Sequence, residues 1–356
     1  MSWSYAIHEL RTGRALYEVV PDSVSWTRRI TGSGSGSFGF RLLDNTTVPR
    51  AGRRGLFTPN DRVIVVKWND GHSVFAGVVT STSYDRTSGM LSVSTVELRS
   101  VFARRFAGPL ESYGPGWDFD FNNVTAKAAA ETIVSRTLTA GTGYELPIVV
   151  WETGAAGTFS RKARYYETVT IDDLLSEIEA QGVTIDFNPD LTADGDLAWV
   201  MVTGQSLDRG VTSLSVDAPD SPIRGLSVTD DGAKQSNGVL ALGKGSGKEM
   251  KAGYATSTAG GSARDSKITL KDESNAIALG LAASAEMGSR LRPTEQWSFK
   301  VRVSDVVTPW MLRPGRVLDV SVFGDPWIPD GHRDLTVIAI SGDGSLFVTP
   351  EVQPNG

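Results

Sequence analysis

An alternating strand, a loop and a proline turn feeding a second alternating strand occur twice in this 356-residue chain, about 255 residues apart. The first copy runs Phe38-Gly39-Phe40-Arg41-Leu42-Leu43-Asp44 and, after a loop, Leu56-Phe57-Thr58-Pro59-Asn60-Asp61-Arg62-Val63-Ile64-Val65-Val66. The second runs Trp297-Ser298-Phe299-Lys300-Val301-Arg302-Val303 and then Met311-Leu312-Arg313-Pro314-Gly315-Arg316-Val317-Leu318-Asp319-Val320. Period-two alternation marks the strands and proline marks the turn that starts each second strand. Pro59, Arg62 and Val63 thereby correspond to Pro314, Arg316 and Val317. Two related β units in one polypeptide point to a ring-forming protein rather than to an enzyme built round one cleft. The competing explanation is chance, because short Pro-Gly-Arg-Val stretches are common in β proteins.

The chain is long enough for two or three domains with a sizeable buried core. It has no cysteine, which excludes disulfides, thiolate zinc sites, iron–sulfur clusters and a small disulfide-framed secreted module. A formal charge of −6 and a pI near 5.3 argue against a surface that grips nucleic-acid phosphates. They still allow a channel through which nucleic acid passes without sticking. No apolar run approaches the ~20 residues needed to cross a bilayer, and the N-terminus lacks the basic-then-apolar pattern of a signal peptide. The expectation is a protein made in the cytoplasm that stays soluble unless assembled into something larger.

Residues 1–105 read as strands closing into a small antiparallel barrel, the usual way to leave no sticky edges. Val63 to Trp68 and Ser73 to Val79 flank an Asp70-Gly71 turn, a strong hairpin signal. Ser83 to Gly89 and Met90 to Val96 extend it into a meander. Residues 106–205 read as an α/β insertion. Val124 to Leu138 is alanine-rich and helical, and a second helix is framed by a Thr170/Asp173 capping box and a Gly182 C-cap. A hairpin follows around Asp194-Gly195. Strands between Val211 and Ser227 are expected to complete the first barrel within residues 206–235. Residues 236–356 then form a second barrel with one helix, Ser274 to Leu291, stopped by Pro293. The Gly/Ser/Ala-rich run 243–263 reads as a mobile loop, and Leu335 to Val348 as a closing hairpin. The fold class is α+β, mainly β: two similar small antiparallel β-barrels with an α/β insertion domain.

No local pattern supports catalysis, a cofactor or a metal. Gly34-Ser35-Gly36-Ser37-Phe38-Gly39 satisfies G-x-G-x-x-G, but a strand follows it where a dinucleotide site needs a helix N-terminus. The lysine loop 243–248 lacks a phosphate loop's first glycine and has Glu249 where magnesium's Ser/Thr should stand. Asp190 to Gly195 is broken as a calcium loop by Thr192 and by Met201, and a hairpin turn accounts for it. His8, His72 and His332 show no metal-ligand spacing. His332 is the best catalytic candidate, yet no G-x-S-x-G elbow marks a nucleophile. Asp118 with Asp120 fits an aromatic loop, and Asp173 fits helix capping. Trp297 alternates with Phe299 and so faces a core. Trp310 and Trp327, beside prolines, are candidates for a subunit interface or a glycan-binding face.

In this order of parts the chain resembles the tail-hub, or minor tail, proteins of tailed bacteriophages. The resemblance rests on the Pro59-to-Val63 strand region, the insertion carrying Thr170 to Gly182, and the late helix followed by Trp297 to Val320. It implies two similar barrels per chain, so that a homotrimer presents six barrels to a sixfold tail tube, with the α/β domain outside. It implies a structural virion protein at the tail tip that joins tube to tip and gates DNA passage. Its neighbours would be a distal tail protein or tail tube, a tape-measure protein and tip or receptor-binding proteins. Longer relatives append a peptidase or lysozyme domain; this chain ends at Gly356 after its last hairpin, so cell-wall degradation would fall to another protein. The alternative is a glycan-recognising, receptor-binding β protein.

Overall fold

A computed structural model gives the architecture of residues 2–43, 52–69, 71–112, 114–205, 207, 209–259 and 261–354. Asp44, Asp70 and Gly356 lie outside the described residues. The chain divides into two compact units, Met1–Gly225 with Phe299–Gly356, and Leu226–Ser298.

The first strands are β1 (Trp3–Glu9), β2 (Ala15–Val19), β3 (Ser23–Arg29) and β4 (Ser35–Arg41), then a helical turn α1 (Arg53–Leu56). They are followed by β5 (Arg62–Trp68), β6 (His72–Asp85), β7 (Met90–Val96) and a short helix α2 (Arg99–Phe102). Next come β8 (Phe119–Val124), α3 (Ala126–Leu138), β9 (Ile148–Val149), β10 (Phe159–Ala163), α4 (Ile171–Glu179), β11 (Thr184–Leu191) and β12 (Leu197–Gly204). Then β13 (Val211–Ser215) and β14 (Ile223–Asp231) lead to β15 (Gly238–Leu242), β16 (Ala252–Thr256), β17 (Asp265–Thr269) and α5 (Ala276–Arg290). The chain closes with β18 (Thr294–Arg302), β19 (Val317–Val322), β20 (Gly331–Gly342) and β21 (Phe347–Pro354).

The molecule is α+β and mainly β, but the two closed barrels read from the sequence are not what forms. Thirteen of the described strands make one continuous sheet in the order β14-β18-β21-β20-β3-β4-β7-β6-β5-β1-β2, with β19 on β20 and β13 on β19, while β10-β8 and β11-β12-β9 form small sheets of their own. The first half curls without closing. Trp3 of β1 meets Trp26 of β3 edge to face at 5.8 Å and Trp68 at 4.8 Å, and Trp26 stacks on Phe75 at 6.0 Å. β1 and β3 therefore face each other across aromatic packing, a geometry favoured for such rings, without pairing. Antiparallel pairing of β3 with β20, from Ala339↔Arg29 to Gly342↔Trp26, carries the sheet from one half into the other.

The two halves have the same strand order. β5-β6-β7-β4 is matched by β19-β20-β21-β18. Each proline turn places its next residue in the left-handed region, Asn60 at φ 60° and Gly315 at φ 87°. The N–H of Asn60 donates to Val79 at 2.7 Å, and that of Gly315 donates to Val337 at 2.7 Å. Both acceptors stand at a β-bulge, between Val79 and Ser81 in β6 and between Val337 and Ala339 in β20; such an extra residue bends a strand and re-aims its pairing. One difference stands out. β13 runs parallel to β19, whereas β1 runs antiparallel to β5. Residues 206–235 thus do not complete the first half. Arg316 explains the change of side: its guanidinium donates to Thr212 Oγ1 at 2.6 Å and to the Val211 carbonyl at 3.0 Å, tying β13 to the second copy of the motif.

In the insertion, Thr125 caps α3 by accepting from Ala128 N–H at 3.1 Å. Thr170 and Asp173 form the expected reciprocal box on α4, at 3.1 and 2.8 Å. Ile171, Leu174, Leu175 and Ile178 are all buried, on the spacing of one helical face. They share a core with Val63, Val65, Ala76 and Val78 of β5 and β6 and with Trp199 of β12. Burying four such side chains contributes roughly 1.5–3 kcal/mol each. The insertion is therefore packed into the first half rather than tethered to it.

In the second unit, β16-β15-β17 forms a three-stranded sheet whose Val239, Ala241 and Ala255 pack with Leu279 and Ala283 of α5. The run 243–263, expected to be a loop, contains β16, paired to β15 along its length. Small residues are what allow it: a Cβ on Gly253 would stand 2.3 Å from the Gly280 nitrogen of α5. The helix 276–290 belongs to this unit, not to a second barrel.

Gly315→Ala should lower stability by about 2 kcal/mol, combining left-handed strain with a Cβ placed 2.9 Å from Leu207. Asn60→Gly at the equivalent turn should be neutral or stabilising. Denaturant unfolding checks both; an unchanged midpoint for Gly315→Ala contradicts the turn assignment.

Candidate functional site

Arg28 lies two residues beyond Trp26 on β3 and so shares its inward face; both are buried. Asp186 and Asn188 share one face of β11 in the same way and are also buried. Asp186 Oδ2 accepts from Arg28 Nη2 at 2.7 Å and from Arg209 Nη2 at 2.6 Å. Arg28 Nη2 donates to Asn188 Oδ1 at 3.0 Å, and Arg209 Nη1 donates to the Pro314 carbonyl at 2.9 Å. One carboxylate thereby couples β3 of the first half, β11 of the insertion and the proline turn that starts β19. Charge-assisted bonds of this kind are the strong ones, and they satisfy charges that burial would otherwise penalise.

Glu97 completes the centre. Its Oε2 accepts from the Gly34 N–H at 2.6 Å and the Arg29 N–H at 3.2 Å, and its Oε1 lies 3.9 Å from Arg28 Nε. Burial pushes the carboxyl up to about 7 against the opposing pull of Arg28. A Cβ on Gly34 would stand 2.0 Å from the Thr27 carbonyl oxygen and 2.5 Å from Glu97 Oε2. The glycine that began the false dinucleotide motif therefore serves the β3–β4 hairpin and its contact with Glu97. Arg313, next to the Pro314 turn, lies over the Trp310 ring at 3.8 Å, an attraction between cation and π face. Burial, then the charges of Arg209, Arg316 and Arg28, draw its guanidinium down to about 10.

The structure brings Pro314, Arg316 and Val317 to this joint. Pro59, Arg62 and Val63 lie at the equivalent turn of the first half, where Arg62 donates to the Gly55 carbonyl at 2.9 Å and pairs with Asp61. Trp310 is held within the chain, stacked on His72 at 5.1 Å on one side and covered by Arg313. Trp297 and Phe299 are buried. Trp327 is 78% exposed, and its loop is braced rather than slack. Asp325 Oδ1 accepts from the Trp327 and Ile328 amides at 2.8 Å each, which holds its carboxyl below the usual range. Asp330 accepts from Gly324 at 2.7 Å.

His332 is paired, Nδ1 to Asp319 Oδ1 at 2.8 Å. The nearby hydroxyl of Ser213 donates to the other oxygen of Asp319, at 3.3 Å. The carboxylate thus stands between serine and histidine, an order that does not activate a nucleophile, since the base must take the hydroxyl proton itself. Among the described residues, no three histidine or carboxylate groups converge as a metal ion's ligands would, and no helix is long and apolar enough to cross a membrane.

No family model matches the sequence, and no curated protein does. Solved structures do match over the full length. The 43 kDa tail protein of prophage MuSo2 from Shewanella oneidensis aligns with a TM-score of 0.60 at 13% identity, over 98% of this chain and 98% of that one. A tail protein from Neisseria meningitidis MC58 gives 0.60 at 14% identity, over 100% and 98%. The chain has the fold of phage tail proteins. A type VI secretion component of Escherichia coli, described as similar to the T4 tail proteins gp27 and gp5, gives 0.52 at 10% identity, over 99% of this chain and 75% of that one.

Asp186→Ala should cost about 3–5 kcal/mol, because it leaves two buried guanidinium groups without their counter-charge. Replacing Arg28, Asp186 and Arg209 together by Met, Leu and Met should recover most of that loss. Chemical unfolding monitored by tryptophan fluorescence tests it; a loss under 1 kcal/mol for Asp186→Ala contradicts the role given to this centre.

Proposed function

We propose that this chain is a structural virion protein, the hub at the distal end of a phage tail tube. In this reading three copies form a ring that connects the tube to the tip and gates DNA passage. The observation that carries the reading is the pair of like-ordered halves joined side by side through β3 and β20, within a fold shared with phage tail proteins. Six such halves in a homotrimer match a sixfold tube, and heterologous contacts of one kind close into a ring when the rotation permits. The net acidic charge suits a channel wall that repels DNA phosphates rather than holding them. Synthesis in the host cytoplasm is followed by assembly at the virion's tail tip. There the braced, exposed Trp327 suits docking to a neighbouring tail protein, such as a distal tail, tape-measure or receptor-binding component, because exposed aromatics on rigid supports make good contact anchors. No cofactor is required.

Light-scattering mass measurement across a concentration series tests the reading. The expected result is three times the chain mass at high concentration; a monodisperse monomer throughout contradicts it.

A further inference from the structure

The correspondence of the halves reaches the edges of the sheet, and there the match is incomplete. β20 uses one edge twice. Before its bulge that edge pairs with β19, from Gly331 to Thr336, and after it with β3, from Ala339 to Gly342. The equivalent strand β6 pairs with β5 before its bulge and with β7 on the opposite edge. After the bulge, Ser81 to Asp85 are all exposed, and among the described residues nothing pairs with their outer edge. The strand that would fill it is the counterpart of β3, the strand beside β18, which is β14. That strand ends the sheet order and is largely exposed.

We infer that β14 of one copy of this chain adds antiparallel to the outer edge of β6, at Ser81–Tyr84, of the next copy. The register comes from the pairing already present. The bulge acceptors equate Val79 with Val337, so Ser81–Tyr84 corresponds to Ala339–Gly342. Arg41 and Arg302 pair with the first residues of β7 and β21, Met90 and Phe347. Arg41 N–H donates to Asp22 Oδ2 at 2.6 Å and Arg302 N–H to the Pro222 carbonyl at 2.8 Å. Strand sidedness then matches the inward Trp26 and Arg28 of β3 with the half-buried Leu226 and Val228 of β14, which aligns Trp26–Arg29 with Leu226–Thr229. The observed Ser341↔Thr27 pair becomes Ser83 opposite Ser227 of the neighbour.

Composition agrees. Free edges are normally blunted by charge or proline, yet Thr80-Ser81-Thr82-Ser83-Tyr84 and Leu226-Ser227-Val228-Thr229 carry neither. The pairing repeats between copies the step that β3 and β20 make within one, so every half meets the next in the same way and the assembly closes on an even number of halves. Main-chain bonds of this kind are how an exposed edge accepts an extended segment.

This inference rests on the ring reading and names its contact. The Ile30 N–H donates to Ile338 O at 3.1 Å, which sets the alternation: Ser341, and by correspondence Ser83, belongs to a non-hydrogen-bonded pair, where side chains lie closest. The chain has no native cysteine, so Ser83→Cys with Ser227→Cys gives an unambiguous probe. After mild oxidation, non-reducing electrophoresis should show a covalent ladder up to the assembled size. Each single variant should stop at or below a dimer. Ring-sized particles by light scattering with no ladder would overturn the strand pairing and leave the ring reading standing. A monomeric mass at high concentration would overturn both, and dimers alone from the double variant would mean a two-fold contact and overturn the inference.

Discussion

The carboxylate of Asp186 accepts from two buried arginines at once, and the arrangement of the main unit depends on it. A charge removed from water must be met where it stands, so Arg28 holds β3 to β11 and Arg209 holds both to the Pro314 turn. Apolar packing in the shared core of β5, β6, α3 and α4 is larger in energy but non-directional. The charge centre is directional and is satisfied in one register. It sits where the first half, the insertion and the second half meet.

Around that centre the chain builds the same device twice. A proline turn with a left-handed second residue donates its amide into a bulge on a long strand, and past the bulge the strand's edge leaves its first partner. In the second half, the later stretch of that edge receives β3 and makes the sheet continuous. This is a head-to-tail relation between unlike ends of like halves, and it extends naturally into rings. The insertion does not interrupt this logic, because it packs on the first half's core.

Much of this was legible in the residues. Pro59 and Pro314 each stand before a left-handed residue, and Thr170 with Asp173 announces a cap because a reciprocal capping box is a local requirement. The hairpins of β11–β12 and β20–β21 followed from alternation and glycine turns. What escaped was non-local. Arg28, Glu97, Asp186 and Arg209 are far apart in sequence and share no spacing; the one available signal was that Arg28 keeps step with buried Trp26 on its strand. Barrel closure was inferred from the need to hide edges, but edges are also hidden by pairing with another part of the chain, and β3 with β20 does that. β16 was hidden in a run of Gly, Ser and Ala, whose small size serves close approach to α5. β13 pairs with the second half because its parallel partner is β19, and order along the sequence does not reveal a parallel partner.

The central claim is that the two halves are interchangeable segments of one ring, and end-on electron-microscopic averaging of purified assemblies without imposed symmetry tests it most directly. The account predicts a closed ring with true threefold symmetry and six similar lobes round a central channel. Open or twofold particles, or a threefold ring whose alternate lobes share no common β architecture, would contradict it.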